Sequence, residues 1–360
     1  MSRTVTGTVH SAKRIVIDGM QFARWSRKVF EQMRDGGVCA VHVTVAYHEN
    51  FRDTVDLLVD WNRRLRLHGD LIGFAGSGEE MDAVIDSGRT AILFGLQNPS
   101  SIEADIGLVE MLHRLGIRFM QLAYNNQSLL CTGWTERNDS GLTNMGREVV
   151  REMNRLGMII DMSHAAERSI LDAIEYSARP VVVSHANPYA WRNTHRNISD
   201  PVLDALAQSG GMLGLSLYPG HMIHGSHTTL DDFARMVAGL AERIGPARIG
   251  IGSDLCQEQP PSVLAWMREG RWKHVETDED VTGGFPPQPD WFRSNLDFGQ
   301  VRGGLERIGF DAAEIDGILG ENWHRFLHDA LSGHAPAPGT PAARDERNDG
   351  KPLFGGADGV

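Results

Sequence analysis

The sequence predicts an α/β protein built as a (β/α)8 barrel of the TIM type. Three observations predict it. Short β-branched runs alternate with longer amphipathic stretches about eight times. Most of the runs are almost continuously apolar, as strands covered on both faces of a parallel sheet are. The stretches between them end on a polar-then-Gly stop just before the next run.

The runs, in order, are 14–18 (RIVID), 38–46, 90–97, 117–124, 158–163, 180–185, 212–218 and 248–254. A ninth and weaker run, 71–75, reads as an extra edge strand or a loop. Among the intervening segments, 143–157 is the clearest helix. Met145 or Val149, Val150, Met153 and Leu156 recur at three- and four-residue steps, while Arg147, Glu148, Arg151, Glu152 and Arg155 fall largely off that face. Thr143 reads as its N-cap and Gly157 as its stop. A second helix is expected over 103–115, ending at Gly116, and 34–37, 86–88 and 243–245 carry similar endings. No G-x-G-x-x-G follows the first run, which weakens the alternative of an open, doubly wound dinucleotide-binding sheet. The whole reads as one barrel domain over 1–332. The long stretch 256–297, with Trp266, Trp272 and Trp291, is expected as a lid-like insertion or an interface, and 333–360, rich in Gly, Pro and Ala, as a flexible tail.

Composition narrows the function. The chain of 360 residues carries a formal charge of −12 and has no long basic run, so neither nucleic acid nor an anionic membrane is an expected partner. No window approaches the ~20 apolar residues of a membrane span, and the first residues lack a basic start followed by an apolar run. Cys39, Cys131 and Cys256 are far apart and odd in number, which suits reduced thiols and a cytoplasmic protein.

In a barrel the chemistry gathers where strands finish. The runs here finish in Asp18-Gly-Met20-Gln21-Phe22, Gln97-Asn98, Tyr124-Asn125-Asn126, Asp161-Met-Ser-His164, Ser184-His185, Tyr218 and Asp254. Histidines on consecutive strands with an Asp on the last one form a constellation: imidazoles are nitrogen donors for zinc, and a nearby carboxylate serves as ligand or proton shuttle. A single His after a strand is more often structural, and His42, His48 and His113 are read so. His221, His224 and His227 follow the seventh run on the same rim at three-residue steps and could reach one ion, but Gly220 and Gly225 favour a polar surface loop. Glu49 and Glu136, near the rim, receive no role.

These same residues carry a resemblance. The segment from Gly141 to His164, then Arg179-Pro-Val-Val-Val-Ser-His185, His195-Arg196-Asn197 with Asp200, Gly252-Ser-Asp254 and Gly320-Glu-Asn-Trp323 resemble the renal (membrane) dipeptidase family, peptidase family M19. The likeness covers roughly 13–331 and is most specific over 141–200. It implies a metal-dependent barrel of the amidohydrolase superfamily that cleaves dipeptides, often with a C-terminal D-residue, and dimers occur in the family. It further implies that His164 and His185 hold zinc, that Asp254 takes the proton from the attacking water and passes it to the leaving amine, that Arg196 binds the substrate carboxylate, and that Tyr218 lines the pocket.

The chain departs from the family pattern at three places. Where the family has His-x-Asp after Asp-Gly, this chain has Met20-Gln21-Phe22. The bridging Glu becomes Gln97, and a substrate-binding His becomes Tyr124. Thioether and phenyl cannot replace imidazole and carboxylate on such a cation. The expectation is therefore one zinc ion on His164 and His185, with the Gln97 amide oxygen as a weak third ligand and Asp161 or Ser163 supporting the ligands from behind. Two functional readings follow. In the first, the protein is a single-metal dipeptidase-like hydrolase in which Tyr124 orients the substrate carbonyl. In the second, it is a silent barrel that binds a small amino-acid-like ligand. Hydrolysis of another small amide is a third.

Overall fold

The computed structural model describes residues 14–269 and 286–331. Nine parallel strands are present: β1 (Val16–Gln21), β2 (Val38–Ala46), β3 (Ile72–Phe74), β4 (Thr90–Leu96), β5 (Ile117–Gln121), β6 (Ile159–Asp161), β7 (Val182–Ala186), β8 (Met212–Leu215) and β9 (Ile249–Ile251). Pairing of β2 with both β1 and β4, and of β1 with β9, closes eight of them into a ring. The ninth run is a strand outside that ring. β3 lies against the first half of β4 (Ile72 opposite Thr90, Phe74 opposite Ile92), and β5 takes over from Phe94 onward.

Eight helices alternate with the strands: α1 (Arg27–Asp35), α2 (Phe51–Leu67), α3 (Gly78–Asp86), α4 (Gly107–Arg114), α5 (Asn144–Leu156), α6 (Glu167–Tyr176), α7 (Asp200–Ser209) and α8 (Leu230–Ile244). α5 follows the expected pattern. Thr143 accepts from the Gly146 amide at 2.9 Å, and Val149, Val150 and Met153 are buried. Gly157 closes the helix at φ 75°, a left-handed conformation that costs glycine nothing. α4 starts later than its sequence suggested. A 3-10 turn at Pro99–Ile102 comes first, and Glu103 leaves it at φ 52° while its carboxylate accepts from the Phe51 amide, so the backbone cannot continue as helix.

At two seams of the ring the named strands pair at one residue each, β1 with β9 at Asp18–Ile251 and β6 with β7 at Asp161–Val182, and backbone bonds just beyond them (Asp254 amide to Met20 carbonyl, Met162 amide to Val182 carbonyl) extend the contact. At each seam a buried aspartate adds side-chain bonds. Asp18 accepts from the Ser253 amide at 2.7 Å and from its hydroxyl, and Asp161 accepts from the Ser184 amide at 3.1 Å and hydroxyl at 2.5 Å. Burial raises the Asp18 carboxyl to about 6, against the pull of those hydrogen bonds.

After β9 come α9 (Pro261–Glu269), α10 (Phe298–Ile308), α11 (Ala312–Asp316) and α12 (Asn322–Leu331). The Gly-Glu-Asn-Trp motif closes the end of the barrel away from the site. Asn322 Nδ2 donates to the carbonyls of Pro246 and Ile249, both at 2.8 Å, and Trp323 Nε1 to that of Ile251 at 2.9 Å. The fully buried indole fits only because Gly19 and Gly250 lack side chains: a Cβ would lie 2.8 Å from it at Gly19 and 2.2 Å at Gly250. No helix of the described residues is long and apolar enough to cross a membrane. Trp272, the middle of the expected lid and the expected tail lie outside the described residues.

Candidate active site

The C-terminal ends of the strands open into a pocket of about 410 Å³, lined among others by Tyr124, Asn125, Trp134, His164, Arg196, Tyr218, His221, Asp254, Cys256 and Arg268. Two of the expected residues meet directly. His164 leaves β6 three residues after Asp161, His185 sits within β7, and their Nε2 atoms are 3.0 Å apart.

The hydrogen bonds behind each ring fix its protons. Trp134 Nε1 can only donate, and it lies 2.7 Å from Asn125 Oδ1, which identifies that atom as the acceptor; His164 Nδ1, 2.8 Å from the same oxygen, therefore carries hydrogen. Ser184 Oγ gives its proton to Asp161, so it accepts from His185 Nδ1 at 2.7 Å. Asp161 also takes the Ser163 hydroxyl at 2.5 Å, the Ser163 amide at 3.0 Å and Gln121 Nε2 at 2.9 Å. The support expected of Asp161 thus reaches His185 through Ser184. Burial, reinforced by the Arg196 charge, holds both imidazoles well below their ordinary pKa and so neutral. Two neutral rings with hydrogen on Nδ1 point two lone pairs at each other across 3.0 Å, an arrangement that a cation between them satisfies.

Asp254 stands at the end of β9 in a left-handed conformation, φ 57°, its amide donating to the Met20 carbonyl. It is partly accessible from the pocket. Burial raises its carboxyl to about 7, and the Arg196 and Arg268 charges oppose that rise. Arg196 is 4% exposed; its Nη2 donates to the His185 carbonyl at 2.9 Å, and its Nη1 has no partner among the described residues. Burial lowers it to about 10, so it stays charged at neutral pH. Tyr124 stacks on His164 with ring centres 4.2 Å apart, and Tyr218 accepts at its hydroxyl from Arg268 Nη2 at 2.7 Å.

Gln97 takes a different place. It is buried, it does not line the pocket, and its Nε2 donates to Thr44 Oγ1 at 2.7 Å and Tyr47 Oη at 2.8 Å beside the Met20 sulfur. Met20 is fully buried, and Phe22 packs edge-on to Tyr47 at 4.8 Å. A thioether, a phenyl ring and a neutral amide thus stand where the resemblance implies His, Asp and Glu.

Several pocket residues were not expected from sequence. His221 belongs to the stretch read as a surface loop. That reading holds for His224 and His227, which are exposed, but His221 is 5% exposed, bonds Ser216 Oγ at 2.7 Å and lines the pocket. Asn197 explains the turn: its Nδ2 donates to the His221 carbonyl at 3.0 Å. Arg268 arrives from α9, and Cys256 stands on the pocket wall. All three cysteines are free thiols. His42 is structural as expected, stacked on Phe119 at 4.0 Å, and Glu49 and Glu136 bind nearby backbone amides.

A closed parallel barrel with polar side chains gathered at its C-terminal mouth is the architecture of amidohydrolases. The likeness extends to particular proteins. An amidohydrolase from Pseudomonas aeruginosa superimposes with a TM-score of 0.83 at 33% identity, over 89% of this chain and 97% of that one. A metallopeptidase from Rhodobacter sphaeroides, solved with a phosphinate mimic of L-Ala-D-Ala, shares the fold (TM-score 0.73, 17% identity, 88% and 99% covered). The family model of membrane dipeptidases, peptidase family M19, matches residues 22–265, and this chain belongs to that family. Dipeptidase tcpJ of Claviceps purpurea is 28% identical over 286 residues, 79% of this chain and 61% of that protein. Dipeptidase verJ of Clonostachys rogersoniana is 30% identical over 214 residues, 59% and 55%. The chain thus spans somewhat over half the length of these two relatives.

The family implies a metal, and one pair of residues fits it. Two nitrogens each 2.0–2.1 Å from a tetrahedral zinc lie roughly 3.3 Å apart, close to the 3.0 Å between His164 and His185.

Proposed function

We propose that this protein is a hydrolase that cleaves the amide bond of a small dipeptide bearing a free C-terminal carboxylate, working with a single zinc ion held by His164 and His185. The observation that carries the reading is the pair of Nε2 lone pairs 3.0 Å apart, each fixed from behind. The dipeptidase names of the relatives support the substrate class. When bound, zinc lowers the pKa of a coordinated water and polarises the scissile carbonyl. The Gln97 amide hydrogens are committed to Thr44 and Tyr47, which leaves only its oxygen for an ion, and an amide oxygen is a weak zinc ligand.

The chain's own groups do the rest. The unpartnered Nη1 of Arg196 is a buried charged donor that a carboxylate satisfies, which anchors the substrate. Asp254 sits near its transition at neutral pH, suited to taking a proton from water and returning it to the leaving amine. Tyr124, packed on His164, orients the carbonyl, and Tyr218, held by Arg268, lines the pocket.

A second reading rests on Met20, Phe22 and Gln97: a barrel that has lost turnover and binds an amino-acid-like ligand through Arg196. Metal analysis of protein purified without added metal, followed by a dipeptide panel with and without chelator, separates the two. Near-stoichiometric zinc and chelator-sensitive turnover support hydrolysis. Saturable amino-acid binding with neither metal nor turnover supports the second reading and removes the first.

A further inference from the structure

Asn125 follows Tyr124 beyond β5 and adopts φ 56°, a left-handed conformation in which Asn is enriched. The turn at 133–135 presses against it. The Asn125 carbonyl accepts from the Thr135 amide at 3.0 Å and hydroxyl at 2.7 Å, and a Cβ at Gly133 would lie 2.1 Å from that carbonyl oxygen. The same turn straps the metal side, since the Trp134 amide donates to the His164 carbonyl at 3.1 Å. Between these restraints the Asn125 amide faces one way only. Oδ1 receives Trp134 Nε1 and His164 Nδ1, and Nδ2 points at the Arg268 carbonyl of α9 at 3.4 Å.

We infer that Asn125 is a positioning residue that keeps His164 in the tautomer able to bind a metal and ties that hold to α9 beside the pocket. The inference rests on the reading that His164 and His185 take an ion. Rotating or removing the Asn125 amide would let His164 carry its proton on Nε2, the atom facing His185, where it would exclude a cation.

Three measurements on the full chain test this. Zinc affinity is read by competition with a chromogenic chelator. Asn125→Ala weakens it about 10- to 100-fold, and Asn125→Asp, which keeps an acceptor oxygen in place, stays within about threefold of the parent. A folded Ala variant that binds zinc as tightly as the parent overturns the inference. Nitrogen-15 NMR of the metal-free parent, labelled at histidine, reads the tautomer without any variant: hydrogen on Nδ1 of His164 is expected, and hydrogen on Nε2 overturns the inference even if the Ala variant fails to fold. Asn125→Asp has lost the Nδ2 donor, so amide exchange over 264–269 should rise in it, and unchanged exchange removes the link to α9. A parent that binds no zinc refutes the metal reading itself, and the tautomer measurement still judges Asn125.

Discussion

Replacing Arg196 by alanine is the most direct test of how the pocket holds its substrate. The guanidinium is nearly sealed from solvent, one nitrogen is spent on the His185 carbonyl, and Nη1 has no partner among the described residues. Holding that charge without a ligand is unfavourable: burial pulls its pKa down to about 10, a shift that corresponds to roughly 3 kcal/mol. A substrate carboxylate relieves this and adds charge-assisted bonds, so removing the guanidinium should cost ~2–4 kcal/mol, about 30- to 700-fold in kcat/KM. The assay compares a dipeptide with its C-terminal amide, in the parent and in Arg196→Ala. The free acid should show the full loss, chiefly in KM, and the amide less than about a fivefold loss. Arg196→Lys should recover little, because an ammonium keeps the charge but not the planar fork. Equal losses on acid and amide would refute the anchoring role and leave Arg196 only as a prop for the His185 carbonyl.

Further outcomes follow from the same geometry. His185→Ala should lower zinc occupancy from near-stoichiometric to a small fraction by elemental analysis; unchanged occupancy would place the ion elsewhere. Asp254 must be ionised to accept a proton, and burial raises its carboxyl from 3.8 to about 7. kcat/KM should therefore climb with pH along an acid limb at or below about 7, since a nearby cation pulls the carboxyl down, and Asp254→Asn should abolish turnover across the range. The same raised pKa has a stability sign: the protonated carboxyl favours the folded state, so that contribution is whole below about 3.8 and is lost as pH rises through about 7. Denaturant midpoints of parent and Asp254→Asn at pH 5 and 8 read it, and a parent relatively more stable at pH 8 would contradict it. Trp323→Ala empties the space above Gly19 and Gly250 and should destabilise by ~3–5 kcal/mol in denaturant titration; a loss under about 1 kcal/mol would mean that the indole is not a core element.

Much of this was legible because it is local. Continuous apolar runs mark the strands, Thr143 and Gly157 bracket α5 at the expected positions, and the histidines and Asp254 stand at strand ends. The limits are equally physical. β1 runs on past Asp18, the end of the run read in the sequence, through Gly19 to Gln21, with Asp18 consumed by Ser253, 235 positions away. His221 looked like a loop residue between glycines, but contacts with Ser216, Tyr218 and Asn197 turn it inward. The position of Gln97, committed to β2 and Tyr47 rather than to the histidines, depends on tertiary packing that spacing does not encode. The part of Asn125 that touches α9 reaches across 143 residues.

The stopper formed by Trp323 has a consequence for synthesis. The indole rests on β1 and β9 together, so β1 reaches its final environment only when α12 has been made. Until α12 is made the base of the barrel stays unsealed, so its closure is governed by this long-range contact. A polypeptide halted upstream of that tryptophan would carry every residue proposed for the chemistry and still lack its plug.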